Sequence, residues 1–457
     1  MRTVFRVLPA FLILATARAQ SAETEYALTV LPGGQQTFEG FGASQVAKEF
    51  GHYPPEPFRS QMADLIYRDL GANIVRLWVQ SGTEHSISDM KAAFYADYVD
   101  NGVIPLLAER GVTKLLLAPA RGPQAPAGSL PDYAAKLAAF IDEIKKERGL
   151  EIAATGIANE PDGWTGQQLA ETIKCLRAEL DARELTPVEI IAPEGASANE
   201  LLDAQLDAIH ADSQAWMSLA GIASHSYNMA ARDSAAQRAF DKAYWMTEAS
   251  DDGNEHGEDE NRAATTAARF LNDMNHRVTH WIYFKGFSYS PDVTTDNYTA
   301  SRLTQYDARS EAIVTHLKYE YLKTLRRTFD LGAVFRRCES SSEKDMVYTY
   351  GQKPKVCAAA AVNPDGGWGL GIVNLSGAGP NDKISQFHPA EDLRITVQLE
   401  ELKDSPPQHF RLRRCKAGEP GVDAGVIEAK HGYLSVSIAP RELVCLRSLD
   451  PTRTPAK

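Results

Sequence analysis

The chain has 457 residues, a formal net charge of −12 and 44% hydrophobic residues. So acidic a chain is a poor partner for nucleic acid or anionic membranes, because phosphate binding depends on clustered Lys and Arg that release counterions. The ordinary apolar share excludes disorder as the default, and the length exceeds that of one common domain.

Arg2 and Arg6 precede an apolar run from Val7 to Ala15, and Ala17-Arg18-Ala19 is a small-x-small cleavage pattern before Gln20. Residues 1–19 therefore read as a secretory signal peptide, and the mature protein is expected to be secreted or periplasmic. No later run reaches the roughly 18 apolar residues of a membrane span, so no membrane insertion is expected. Residues 20–37 contain a strand-like segment, Ala27–Leu31, that is expected to join a β-domain at the other end of the chain.

From residue 38 to 329, strand-like and helix-like segments alternate. The candidate strands are Phe38–Ser44, Ala72–Val79, Thr113–Pro119, Glu151–Asn159, Val188–Pro193, Gly221–Ser226, Ala243–Thr247 and His280–Phe284. They are short and largely apolar, as strands buried on both faces are. The helical patterns between them include Gln167–Arg183, where Leu169, Ile173, Leu176 and Leu180 form a core-facing stripe. The last helical pattern spans Arg309–Thr328, and cap-like residues such as Thr165 and Ser197 stand at helix starts. Eight such units predict a closed α/β architecture, the (β/α)8 TIM barrel. A doubly wound open sheet is the alternative, but no glycine-rich phosphate loop follows the first strand.

Residues 330–457 change character. Gly369–Asn374, Arg394–Leu399, Phe410–Leu412, Leu434–Ile438 and Leu443–Ser448 are short strand-like runs separated by Gly, Pro and Asn. They predict a C-terminal antiparallel β-sandwich joined by the N-terminal strand. Cys338, Cys357, Cys415 and Cys445 all fall here, and an exported protein can hold disulfides. Local pairing, Cys338–Cys357 and Cys415–Cys445, is expected; four buried thiols are the alternative. The spacings are not those of a zinc site.

Two glutamates end barrel strands. Glu160 closes Ile157-Ala158-Asn159-Glu160, with Pro161 next, and Glu248 closes Trp245-Met246-Thr247-Glu248. Barrel chemistry sits at the C-terminal strand ends, so both carboxylates are expected over one pocket. Glycoside hydrolysis needs such a pair, one proton donor and one nucleophile or base. Glu194, after Pro193, reaches the same rim and is a competing third acid. The acidic stretch 251–260 reads as a solvated loop, with a calcium site or a subsite for a cationic sugar as the alternative.

Several stretches together resemble glycoside hydrolase family 30. They are Gln36-Thr37-Phe38-Glu39-Gly40-Phe41-Gly42, Ala72-Asn73-Ile74-Val75-Arg76-Leu77-Trp78, Ala158-Asn159-Glu160-Pro161, Ser224-His225-Ser226-Tyr227-Asn228, Trp245-Met246-Thr247-Glu248 and Trp281. The resemblance implies a retaining mechanism on a β-linkage, with Glu160 as general acid/base and Glu248 as nucleophile. Arg76 and Tyr227 are expected beside Glu248, Asn159 on the sugar 2-hydroxyl, and His225 and Trp281 in substrate binding, Trp281 as a stacking floor. One departure is the loop 120–126, which lacks an aromatic; Arg121 there is a candidate reader of an acidic sugar. The expected partner is a carbohydrate, the protein is expected to be a monomer, and no metal or organic cofactor is expected. A transglycosylase and a catalytically silent carbohydrate-binding barrel are the competing readings.

Overall fold

The computed structural model describes residues 23–45, 51–82, 84–120, 125, 129–227, 234–250, 259–296, 299–340, 354–378 and 388–449. The signal peptide expected at 1–19, Arg121, and residues 251–258 of the acidic stretch lie outside the described residues.

Strand β1 (Thr24–Val30) precedes eight parallel strands: β2 (Gly40–Gln45), β3 (Ile74–Val79), β4 (Lys114–Pro119), β5 (Ala154–Thr155), β6 (Glu189–Gly195), β7 (Gly221–His225), β8 (Ala243–Ala249) and β9 (His280–Phe284). They close in sequence order into one barrel. Helices follow the strands because their apolar stripes need a sheet to cover. Leu169, Ile173, Leu176 and Leu180 of Gly166–Ala182 are all buried, and Thr165 closes that helix start in a capping box with Gln168. The next long helix is capped by Asn199 rather than Ser197.

The expected helix 309–328 is shorter than its pattern suggested. Strand β10 (Phe287–Ser290), β11 (Thr304–Asp307) and β12 (Ala312–Thr315) form a small sheet beside the barrel mouth, and only Leu317–Arg326 is helical.

The C-terminal unit is a two-sheet sandwich. Its strands are β13 (Val334–Arg336), β14 (Cys338–Ser340), β15 (Val356–Val362), β16 (Trp368–Asn374), β17 (Leu393–Leu399), β18 (Gln408–Lys416), β19 (Glu419–Ala429), β20 (Tyr433–Ile438) and β21 (Leu443–Ser448). One sheet runs β14-β1-β17-β20, the other β13-β15-β16-β21-β18-β19. The N-terminal strand thus joins the sandwich. It pairs parallel to β17, in an otherwise antiparallel sheet. No hairpin turn links β1 to β17, so no turn dictates their relative direction.

The disulfide expectation is corrected: all five cysteines are thiols. Cys338 packs in the sandwich interior, whereas Cys357 faces the barrel-side core. On β18 and β21, Cys415 lies opposite Leu443 and Cys445 opposite Arg413. That diagonal offset separates Cα atoms by about 7–8 Å in antiparallel strands, beyond ordinary disulfide reach. Burial pushes the Cys338, Cys415 and Cys445 thiols up to about 12.

Helix Asp259–Asn275 lies between barrel and sandwich, packed on β15 and β16. Asn275 exchanges two hydrogen bonds with the Cys338 main chain, and Gln36 donates to the Met274 carbonyl at 2.6 Å. Of the acidic stretch, Asp259 accepts from the Leu317 amide and Glu260 pairs with Arg441, both structural contacts. The same helix buries Asp273, whose carboxyl burial lifts from 3.8 to about 7, against hydrogen bonds from Ser226, Trp281 and Asn272 and the charge of Arg269.

The native state therefore holds this proton more tightly than the unfolded chain. Its contribution is fully present below about pH 4 and is lost as pH rises toward 7. Asp273→Asn removes the titration. Wild type is expected to lose stability relative to this variant between pH 4 and 8, by up to about 4 kcal/mol at 1.36 per pKa unit. Thermal unfolding of both proteins across that range checks it; a pH-independent difference in Tm contradicts it.

Candidate active site

Strand alternation fills the barrel axis first with an apolar plug: Ile74, Leu116, Ala154, Ile191, Ala223, Trp245 and Ile282. Two residues further toward the C-terminal ends, the same inward parity carries Arg76 on β3, His225 on β7 and Phe284 on β9, and then Trp78. Parity alone would point Glu194 and Glu248 outward. Each lies where the strand register slips, between Pro193 and Gly195 on β6 and between Met246 and Ala249 on β8. Such irregularities re-aim a side chain. Both acids thereby turn into the barrel mouth.

There they meet one cation. Arg76 donates from Nη1 to Glu248 Oε1 at 2.5 Å and from Nη2 to Asn159 Oδ1 at 2.7 Å; its Nη2 also lies 3.3 Å from Glu194 Oε1. Tyr227 donates to Glu248 Oε2 at 2.9 Å. His225 Nδ1 stands 2.9 Å from Glu160 Oε1 and 3.6 Å from Glu248 Oε2. The Glu160 side chain is 38% exposed, the Glu248 side chain 5% and Arg76 fully buried. One acid faces solvent while its partner is packed among donors.

The electrostatics follow. Burial alone would raise the Glu248 pKa, but His225, Arg76 and Tyr227 together hold it below the usual carboxylate range. Glu194 goes the other way: burial dominates and raises its pKa despite Arg76 and His225. The Tyr227 phenol is pushed well up, by burial and then by Glu248, so it remains a donor. Lys285, just beyond β9, is lowered to about 8 by burial, with Glu248 and Asp296 opposing.

One oxygen of Glu160, one of Glu248 and a nitrogen of His225 lie within 4.8 Å of one another. A cation could bridge such a trio in principle. The guanidinium already bonded to Glu248 supplies the counter-charge there, so the donor set suits two acting carboxyls better than a divalent ion.

Of the residues expected at the site, Arg76, Asn159, Glu160, His225, Tyr227 and Glu248 converge. Trp281 does not, and its expected place on the pocket floor is corrected. It points out of the barrel, fully buried, stacked on Phe41 at 5.8 Å, with its indole N–H donated to Asp273 at 2.8 Å. Its neighbour Ile282 faces inward instead. Trp281→Ala is therefore expected to act on stability, costing about 3–5 kcal/mol as a buried aromatic truncation does. Chemical denaturation measures that cost; a loss of substrate affinity at unchanged stability contradicts the core placement.

Sequence reasoning passed over the aromatic pair that does reach the mouth. Trp78 and Phe284 are half-buried, 6.4 Å apart between rings, and Arg76 lies 5.4 Å from the Trp78 centroid. The signal was present for Trp78, two positions after Arg76 on the same strand. Among the described residues, no acceptor meets its indole N–H.

No protein-family model and no curated protein match the chain. Solved structures do. A glycoside hydrolase family 30 subfamily 8 xylanase from Clostridium acetobutylicum superposes with TM-score 0.65 at 17% identity, over 92% of this chain and 99% of that one. An endo-β-1,6-glucanase gives 0.60 at 16% identity, over 92% and 93%. A family 51 arabinofuranosidase from Xanthomonas axonopodis pv. citri gives 0.59 at 12% identity, over 93% and 100%. The fold is that of family 30 xylanases and related glycoside hydrolases, barrel and sandwich together.

Proposed function

We propose that the protein is a retaining glycoside hydrolase that cleaves β-glycosidic bonds of a polysaccharide or glycoconjugate through a covalent glycosyl-enzyme. The observation that carries this reading is the approach of the two strand-end carboxyls, oxygens within 4.8 Å. Retaining enzymes hold the pair roughly 5–5.5 Å apart, whereas inversion needs about 6.5–9.5 Å to admit a water. The xylanase and glucanase likeness makes β-linked xylan and β-glucan the first substrates to try.

In the first step Glu248 Oε2 attacks the anomeric carbon, and the bond to the leaving oxygen breaks as Glu160 donates its proton to that oxygen. In the second, Glu160, now ionised, takes a proton from water; the water oxygen attacks the anomeric carbon and Glu248 departs as carboxylate. Arg76 and Tyr227 keep Glu248 ionised and aimed. Asn159, held by Arg76, is placed for the sugar 2-hydroxyl. Trp78 and Phe284 supply apolar ring faces at the mouth. The pattern of residues 1–19 supports export, and the net negative charge speaks against nucleic acid or an anionic membrane as partner.

Reducing-sugar release from β-linked polysaccharides and aryl β-glycosides tests the reading. Release by wild type is expected. Trp78→Ala should raise KM about tenfold, the order of 1–2 kcal/mol for one aromatic contact, with Tm little changed. Saturable binding without any release would move the protein to the binding class.

A further inference from the structure

The third carboxyl, Glu194, has no role in that mechanism, yet it is linked to both acids that do, directly to Glu160 and through Arg76 to Glu248. Its main-chain carbonyl accepts from the Glu160 amide at 3.1 Å. Its Oε1 takes the long contact from Arg76, the residue that orients both Glu248 and Asn159. Glu194 and Glu160 are both in the left-handed region, at φ 64° and 51°, a conformation a non-glycine residue adopts at a cost. The side chain fits only because residue 156 is glycine: a Cβ there would come within 1.9 Å of Glu194 Oε2. Strand irregularity, left-handed backbone and a glycine socket all serve to put this one carboxyl under the guanidinium.

It cannot act on substrate, being fully buried beneath Arg76. Arg76 is the cation bonded to both buried carboxyls, at 2.5 Å for Glu248 and 3.3 Å for Glu194, whereas His225 stands against Glu160 at 2.9 Å and Glu248 at 3.6 Å. The charged or titratable neighbours are Arg76 from β3, Glu160 after β5, His225 from β7 and Glu248 from β8, with the Thr247 hydroxyl beside it. Glu194 thus has only the longer share of the guanidinium as a bonded counter-charge, and a fully buried site does not support an ionised carboxyl held so loosely. Besides Arg76, the Thr247 hydroxyl is the one side-chain donor among the described residues that bears on the Glu194 carboxyl, fewer than an ionised carboxylate in a dry site requires.

We infer that Glu194 is a neutral, protonated positioning residue: its Oε1 braces Arg76 while its proton leaves the whole guanidinium charge to Glu248. The raised pKa that burial gives it agrees. The role rests on the proposed two-carboxyl mechanism, but the protonation state does not.

Two measurements separate the two. The first is the infrared difference between wild type and Glu194→Gln at pH 7, taken without substrate. Loss of a protonated-carboxyl C=O band is expected; loss of an ionised-carboxylate band overturns the inference whatever the enzyme cleaves. The second is kinetic, on a substrate that wild type hydrolyses. Glu194→Gln, which keeps the acceptor and the neutral charge, should leave the acid limb of the kcat/KM profile in place. Glu194→Ala, which lets Arg76 shift, should lower kcat about 10²-fold with little change in KM, as a displacement of about 1 Å can. An acid limb moved to lower pH by Glu194→Gln would mean that a negative charge had been removed beside Glu248, and would overturn the inference. Failure of wild type to hydrolyse anything would sink the proposed function while leaving the infrared result to decide the protonation.

Discussion

Glu248→Gln is expected to lower kcat/KM on every substrate by more than about 10⁴-fold, because an amide cannot form the glycosyl ester and removal of a nucleophile leaves only binding and electrostatics. Glu160→Gln should behave differently. Its loss should depend on the leaving group, about 10²–10⁴-fold on a sugar leaving group that needs a proton, as for general acids elsewhere. The loss in the first step should be small with an activated aryl leaving group, so that the glycosyl-enzyme accumulates and a burst of phenol precedes slow turnover. Parallel kinetics on an alkyl-like and an activated aryl glycoside make the distinction. Equal losses on both would remove Glu160 from the acid role. The pH profile carries the same asymmetry. Glu248, held below the ordinary carboxylate range, must be ionised, so activity is lost only as pH falls through that depressed value.

Arg76→Ala is expected to have the second-largest effect, on both stability and rate. The guanidinium is fully buried and bonds Glu248 and Asn159, with Glu194 behind. Removing it leaves a buried carboxylate uncompensated, at a cost of about 3–5 kcal/mol for a broken buried pair. Glu248 would then recover a raised pKa, because burial is the largest influence on it and His225 and Tyr227 remain as its only strong partners among those named. The acid limb should therefore move to higher pH, opposite to any effect of lost folding alone. Arg76→Lys should retain part of the charge but not the forked geometry that serves Glu248 and Asn159 at once. Denaturant unfolding together with a kcat/KM profile tests both halves. A stability loss with an unmoved acid limb would make Arg76 structural only.

The barrel was legible because strand–helix alternation repeats eight times and each strand is apolar on both faces. The candidate site was legible where an acid and a strand end coincide: Asn159-Glu160-Pro161 and Thr247-Glu248 stand where a parallel strand gives way to a loop. What stayed hidden depends on single-residue parity. A five-residue apolar strand such as His280–Phe284 does not reveal which alternate residues face in, so Trp281 and Phe284 exchange roles between expectation and structure. Glu194 was visible as an acid at the rim but not as a brace, because the register slip at Pro193–Gly195 and the socket at Gly156 come from different strands. The thiols misled through compartment: an exported chain permits disulfides, but β18 and β21 set Cys415 and Cys445 on a diagonal. The alanine run of β15, Val356–Val362, has no strand-like composition, and burial between barrel and sandwich makes it one.

A covalent sugar on Glu248 distinguishes the proposed mechanism, and it can be trapped. Wild type would be incubated with 2-deoxy-2-fluoro-β-xylosyl and β-glucosyl fluorides, whose electron-poor ring slows the second step more than the first. Proteolysis and mass spectrometry then locate the label. One fluorosugar per chain is expected, on the peptide containing Glu248. A label on Glu160 or Glu194, or rapid turnover to an α-configured product with no label at all, would contradict it.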